Sequence, residues 1–100
     1  MASMIVLYGK PEDPAAFEDY QANRHLPHAT KHMPGVIGAQ NMRVLDTARG
    51  QERGWYRISQ MTFDSADALR AAIGFDGGRA VLADLDNFAT GGATVLLADD

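Results

Sequence analysis

The sequence has no cysteine among its 100 residues. That excludes disulfides, thiolate metal sites and cysteine nucleophiles, and it fits a cytoplasmic protein. No apolar run reaches the ~18 residues of a membrane span, so no membrane partner is expected. The opening Met-Ala-Ser-Met-Ile-Val-Leu-Tyr has no basic segment ahead of an apolar stretch, unlike a secretory signal. A basic patch is also missing. Lys and Arg are scattered and the net charge is −4, which argues against a nucleic-acid surface. There is no internal repeat, low-complexity stretch or long linker. No flavin, nicotinamide or other cofactor motif stands out. The run from Gly74 to Gly78 lacks the Gly-Lys-Ser/Thr ending of a phosphate loop and reads as a helix break.

What is present suits one folded domain over residues 1–100. The apolar fraction of 46% is ordinary for a globular protein and too high for disorder. Met4 to Tyr8 is a short run of β-formers stopped by Gly9-Lys10-Pro11. Asp13 and Pro14 then supply an N-cap and a first helical residue, and Glu18 and Asp19 follow early, where acids suit the helix dipole. The pattern predicts a helix to about His32, ended by Pro34-Gly35. Val36–Asp46 and Arg53–Phe63 are β-rich, and the polar turn from Thr47 to Glu52 between them predicts an antiparallel hairpin. Asp64-Ser65 caps a helix from about Ala66 to Ile73. Asp76 is placed as the cap of a further helix from Gly78 or Arg79 to Phe88, with Val81, Leu82, Leu85 and Phe88 on one face. Thr94–Ala98 is the last strand.

The order is βαββαβ, an α+β pattern. It predicts a ferredoxin-like fold: a four-stranded antiparallel sheet with helices on one face. Ile5-Val6-Leu7-Tyr8 and Val95-Leu96-Leu97-Ala98 do not alternate as strands with one wet face should. Helices from one chain cover only one side. A homodimer packed sheet to sheet is the expected cover for the other, and a chain this short gains from the extra burial; the alternative is a monomer in which these short apolar strands are simply central.

All three histidines, His25, His28 and His32, fall in one window together with Pro27 and Pro34. On an ideal helix His25 and His32 lie about 20° apart and His28 about 60° from His25, so the three can share a face. Three readings compete. A metal site fits the spacing, but Pro27 disturbs the ideal angles and no patterned carboxylate completes a ligand set. A plain surface role suits His28 and His32, which flank Thr30 and Lys31 near the helix C-terminus. A general acid or base suits His25: a kink at Pro27 can open a gap between helix and sheet, where a buried imidazole stays neutral and ready to accept a proton. Tyr20 lies about 140° from His25 on an ideal helix, so the two need not face one cavity. Tyr8 and Trp55 carry polar tips on apolar bodies and are either pocket-lining or ordinary packing residues.

The run Tyr20-x4-His25-x-Pro27-x6-Pro34-Gly35, with the opening Leu7-Tyr8-Gly-Lys-Pro-Glu-Asp-Pro-Ala-Ala-Phe17, resembles the EthD family. That family is named for ethyl tert-butyl ether degradation and belongs to the dimeric α+β barrel proteins. Gly78-Arg-Ala-Val-Leu-Ala-Asp-Leu-Asp-Asn-Phe88-Ala is similar to a later helical motif of the family. The resemblance implies a ferredoxin-like homodimer formed through the sheets, with a cavity between sheet and helices faced by His25. Relatives in the wider superfamily include cofactor-free lactone isomerases, polyketide cyclases and quinone-forming monooxygenases, and others bind haem. His28 departs from the apolar residue common at its position, which separates it from His25. The expectation is a small cofactor-free enzyme with His25 as general base on an apolar cyclic or aromatic carbonyl compound, and with Tyr8, Tyr20 and Trp55 as substrate contacts. A non-catalytic carrier of small apolar molecules, or a haem or metal protein on the same fold, are the alternatives.

Overall fold

A computed structural model describes residues 1–50 and 54–100. Four strands, β1 (Ala2–Tyr8), β2 (Gly38–Arg43), β3 (Arg57–Phe63) and β4 (Ala93–Asp99), form one antiparallel sheet in the order β2-β3-β1-β4. Between β1 and β2 the chain runs through α1 (Pro14–Tyr20), a π-helical turn (Gln21–His25) and α2 (Leu26–His32). Between β3 and β4 it runs through α3 (Ala66–Gly74), α4 (Asp76–Asp84) and a short 3₁₀ turn (Leu85–Asn87). This is the βαββαβ ferredoxin-like arrangement expected from the sequence. The expected strand at Val36–Asp46 contracts to Gly38–Arg43, and β3 begins at Arg57. Gln51, Glu52 and Arg53 of the expected turn and strand lie outside the described residues.

Local signals account for the ends of the first helical arm. Asp13 accepts the Ala16 N–H at 3.2 Å as an N-cap, with Pro14 at the first helical position. After His32 the chain turns at Pro34-Gly35, where Gly35 takes φ +83°, a conformation that strains a residue with a Cβ. Ser65 caps α3 by accepting the Ala68 N–H at 3.1 Å.

The expected cap at Asp76 is corrected. Asp76 is the first residue of α4, and Phe75 holds the cap position without a side-chain bond. The helix therefore starts earlier than the glycines suggested, and the break from α3 lies at Gly74-Phe75. Gly77 and Gly78 are inside the helix because α3 and the end of α2 press against them. A Cβ on Gly78 would collide with the carbonyl oxygen of Ala72, and one on Gly77 would lie 2.6 Å from that of His32. These glycines permit close packing.

The two faces of the sheet differ. Ala2, Met4, Val6 and Tyr8 of β1 are buried beneath the helices with Phe63, Phe17, Leu69, Val81 and Phe88. The intervening Ser3, Ile5 and Leu7 face the other way and are only half-buried. Their pleat partners Ile58 and Leu96 extend an apolar band across that uncovered side, and Leu96 is 45% exposed. The apolar run of β1 thus divides into a helix-covered set and an open set, whereas the run of β4 is exposed along its length. No helix among the described residues is long and apolar enough to cross a membrane.

Candidate functional site

Phe17, Gln21, His25, Ala29 and Met33 are all buried, at a strict spacing of four. On an uninterrupted α-helix each such step overshoots one turn by about 40°, so the stripe would wind off the core. The π-turn corrects it. The Leu26 N–H reaches back to the Gln21 carbonyl, and the wider turn takes up the drift. It also places the distortion just ahead of Pro27, whose ring would otherwise press on the Asn23 carbonyl of a regular helix. The kink expected at Pro27 is thus a π-turn over Gln21–His25, and it points both Gln21 and His25 at the sheet.

His25 meets Asp84 at the end of α4. Its Nδ1 lies 2.9 Å from Asp84 Oδ2. The other carboxylate oxygen, Oδ1, accepts the Tyr20 hydroxyl at 2.7 Å and the Asn87 amide at 2.9 Å. The π-turn brings Tyr20 and His25 together on this carboxylate, which ideal helical angles do not foresee. The two side chains converge on one carboxylate and flank one ring: Phe88 lies 5.1 Å from Tyr20 and 4.7 Å from His25 between ring centroids. They face different spaces, however. His25 lines the cleft between helices and sheet, whereas Tyr20 borders a separate cavity with Phe17, Asn87 and Thr90.

Electrostatics set the protonation of the pair. Burial pushes the His25 imidazole below its ordinary value of 6.5, and Asp84 only partly restores it. Burial alone would raise the Asp84 carboxyl, but the bonds from Asn87, Tyr20 and His25 together hold it below 3.8. At neutral pH the arrangement is a carboxylate and a neutral imidazole. Nδ1–H then donates to Asp84, and Nε2 keeps its lone pair. A carboxylate that fixes the tautomer and steadies the imidazolium formed on protonation is what a histidine base requires.

The cleft beside His25 has a volume of about 20 Å³ and walls of Met4, Val6, Leu26, Met61, Val81, Leu82 and Leu85. That is room for about one water molecule. A larger ligand enters only as side chains rotate, which the two unbranched methionines favour. Tyr8 and Ser59 also line it. Tyr8 is 1% exposed, and its hydroxyl has no hydrogen-bond partner among the described residues. Burial raises its pKa above 10, and Gln21 and Ser59 lie near enough to ease that rise without a well-formed bond. An unpaired buried hydroxyl typically costs about 1–3 kcal/mol.

Of the residues singled out in the sequence, the fold brings His25, Tyr8 and Tyr20 around Phe88. Trp55 stands apart, 41% exposed and outside the cleft. His28 and His32 are half-buried, with rings 4.6 Å apart on the far part of α2. Among the described residues no group of three or more His, Asp or Glu side chains is placed to hold a metal ion. Asp84 was missed by the sequence reading. Its signal was present: it lies three residues after Val81 and four before Phe88, a carboxylate on an otherwise apolar helix face.

The EthD domain matches this chain over residues 10–92. The chain belongs to the EthD family. An uncharacterized 11.0 kDa protein of Rhodococcus erythropolis, from the thcB-thcC intergenic region, is 31% identical, over 100% of this chain and 95% of its own length. The crystal structure of an EthD family protein from Bacillus halodurans superposes with a TM-score of 0.88 at 30% identity, covering 100% of this chain and 98% of the other. SnoaB, a cofactor-independent oxygenase from Streptomyces nogalater, shares the fold. A mutant form of that oxygenase superposes at a TM-score of 0.66 and 16% identity, over 99% of this chain and 91% of that one. The EthD chain thus has the ferredoxin-like sheet, and its fold neighbours include a cofactor-independent oxygenase.

Proposed function

We propose that this EthD-family protein is a small cofactor-free enzyme that moves a proton on an apolar cyclic or aromatic carbonyl compound. His25 is the general base and Asp84 its positioning residue. The observation that carries this reading is the 2.9 Å contact between His25 Nδ1 and Asp84 Oδ2 in a dry, apolar setting. Burial disfavours the charged imidazole, and the carboxylate orients the ring, so Nε2 stays available to the cleft. Isomerisation, cyclisation and lactone chemistry all begin with such a proton transfer. The apolar walls suit a hydrocarbon body.

The test is exchange of α-hydrogens for deuterium in a panel of small cyclic ketones and lactones, followed by NMR. His25→Ala is expected to slow exchange by about 10²–10⁴-fold, the usual contribution of a general base, while circular dichroism stays native. Exchange at the wild-type rate in that variant sinks the assignment.

The same reading includes a homodimer. The open sheet face carries Ile5, Leu7, Ile58 and Leu96, an apolar band that one chain leaves uncovered. Packing two such faces buries the band in a self-complementary interface. Sedimentation velocity is expected to give about twice the 10.8 kDa chain mass, and Leu96→Lys to halve it. A monomer at all concentrations in the wild type overturns the dimer.

A further inference from the structure

The Tyr8 hydroxyl is the polar group that the His25–Asp84 pair leaves unexplained. Tyr8 belongs to β1 and lines the same cleft as His25. Both rings lie against Phe88, at 5.7 Å and 4.7 Å between centroids. The neighbouring polar groups are already committed to one another. Asn41 Nδ2 donates to Gln21 Oε1 at 3.2 Å, and Ser59 Oγ donates to Asn41 Oδ1 at 2.9 Å. The Gln21 amide reaches Ser59 Oγ only at 3.5 Å. The Tyr8 hydroxyl lies beside Gln21 and Ser59 of this circuit, yet it is buried and makes no well-formed hydrogen bond among the described residues. Ser59 lines the cleft, and Gln21 is buried behind it. Tyr8 therefore carries an unused O–H donor on a residue that lines the same apolar cleft as His25.

We propose that Tyr8 binds the carbonyl oxygen of the substrate and holds the negative charge that gathers there, so that the ligand is an enolisable ketone or lactone. The proposal rests on the reading of His25 as the base. His25 Nε2 takes the proton from the carbon next to the carbonyl, and the C–H electron pair becomes the C=C bond of an enolate. The carbonyl π pair moves to oxygen, where the Tyr8 O–H hydrogen bond strengthens as charge accumulates. The proton returns from His25 to the same carbon, or to the far end of a conjugated system, and the latter completes an isomerisation. Burial keeps the phenol protonated for this role.

4-Nitrophenol probes the donor without chemistry, because its phenolate carries the same charge on oxygen. Its absorbance reports both binding and ionisation. The wild type is expected to bind it as the phenolate and to lower its apparent pKa. Tyr8→Phe, which keeps the ring and the packing, is expected to weaken binding at least ~10-fold and to slow deuterium exchange of cyclohexanone by about 10²-fold through kcat more than KM. His25→Ala is expected to keep phenolate binding and lose exchange. Equal phenolate binding by wild type and Tyr8→Phe, or none by the wild type, overturns the role of Tyr8. Exchange that survives in His25→Ala while Tyr8→Phe loses phenolate binding leaves Tyr8 standing and removes the base.

Discussion

Glu18 and Asp84 each accept a tyrosine hydroxyl at 2.7 Å and a basic side chain at 2.8–2.9 Å. Glu18 holds Tyr56 and the Arg57 guanidinium, and both its oxygens receive Arg57 Nη2. Asp84 holds Tyr20, Asn87 and His25. The Glu18 side chain is 38% exposed, whereas that of Asp84 is 14% exposed. The decisive difference is the basic partner. A guanidinium does not release its proton in a protein, so the Glu18 cluster can only fasten α1 to β3. An imidazole in a dry site can take and return one near neutral pH, so the Asp84 cluster can do chemistry. The same carboxylate–tyrosine pairing thus serves as a fastener in one place and as a support for a base in the other.

The comparison breaks most sharply at Asp84. In Asp84→Asn the amide oxygen is the natural acceptor for Tyr20 and Asn87, which turns the amide nitrogen toward His25. Nδ1 must then accept, the ring proton moves to Nε2, and the base is blocked. We expect exchange to fall by about 10²–10⁴-fold, close to the loss in His25→Ala. Asp84→Ala imposes no tautomer and should lose less. Without the carboxylate the His25 pKa drops further, so the acid limb of the Asp84→Ala rate profile should shift to lower pH. Rate profiles that place the alanine variant below the asparagine variant, or leave the limb unmoved, contradict this account.

A smaller effect is expected at Glu18. Burial works against its ionised form, but the bonds from Tyr56 and Arg57 outweigh it and hold the carboxyl below 4.5. Glu18→Gln should cost about 1 kcal/mol or less at pH 7, given the exposure of the side chain, and leave exchange intact. The sign follows from linkage. A carboxylate whose pKa is lowered on folding stabilises the fold above its unfolded value, and that stability is lost as pH falls through the folded value. Urea unfolding should therefore show wild type and Glu18→Gln converging below about pH 4. A gap that persists there would mean that Glu18 acts through something other than its charge.

Much of the architecture was legible because it depends on local chemistry. Asp13-Pro14 and Ser65 start helices where capping residues should, and Pro34-Gly35 stops one. The alternation of β-rich and helical segments fixed the topology. Gly77 and Gly78 were misread because sequence shows a helix breaker where the fold needs room for Ala72 and His32. The site was half legible. Pro27 drew attention to His25, and the helical angle rightly gave Tyr20 a different space, but it hid that both reach Asp84. The strict four-residue spacing of Phe17, Gln21, His25, Ala29 and Met33 carried the π-turn, though only burial reveals that all five face inward. Asp84 is 59 positions from His25, so no local rule ties the two together. The carboxylate on the apolar face of Val81, Leu85 and Phe88 was the available clue.

The sheet has its cleft on one side and its uncovered apolar band on the other. A partner seated on that band is separated from His25 by the full thickness of the sheet. In a dimer packed through that band, as proposed above, the helices and cleft of each copy would lie on the side away from its partner. We expect each copy to fill along its own hyperbolic curve with a Hill coefficient of about one in a ligand titration, as two sites without coupling free energy do.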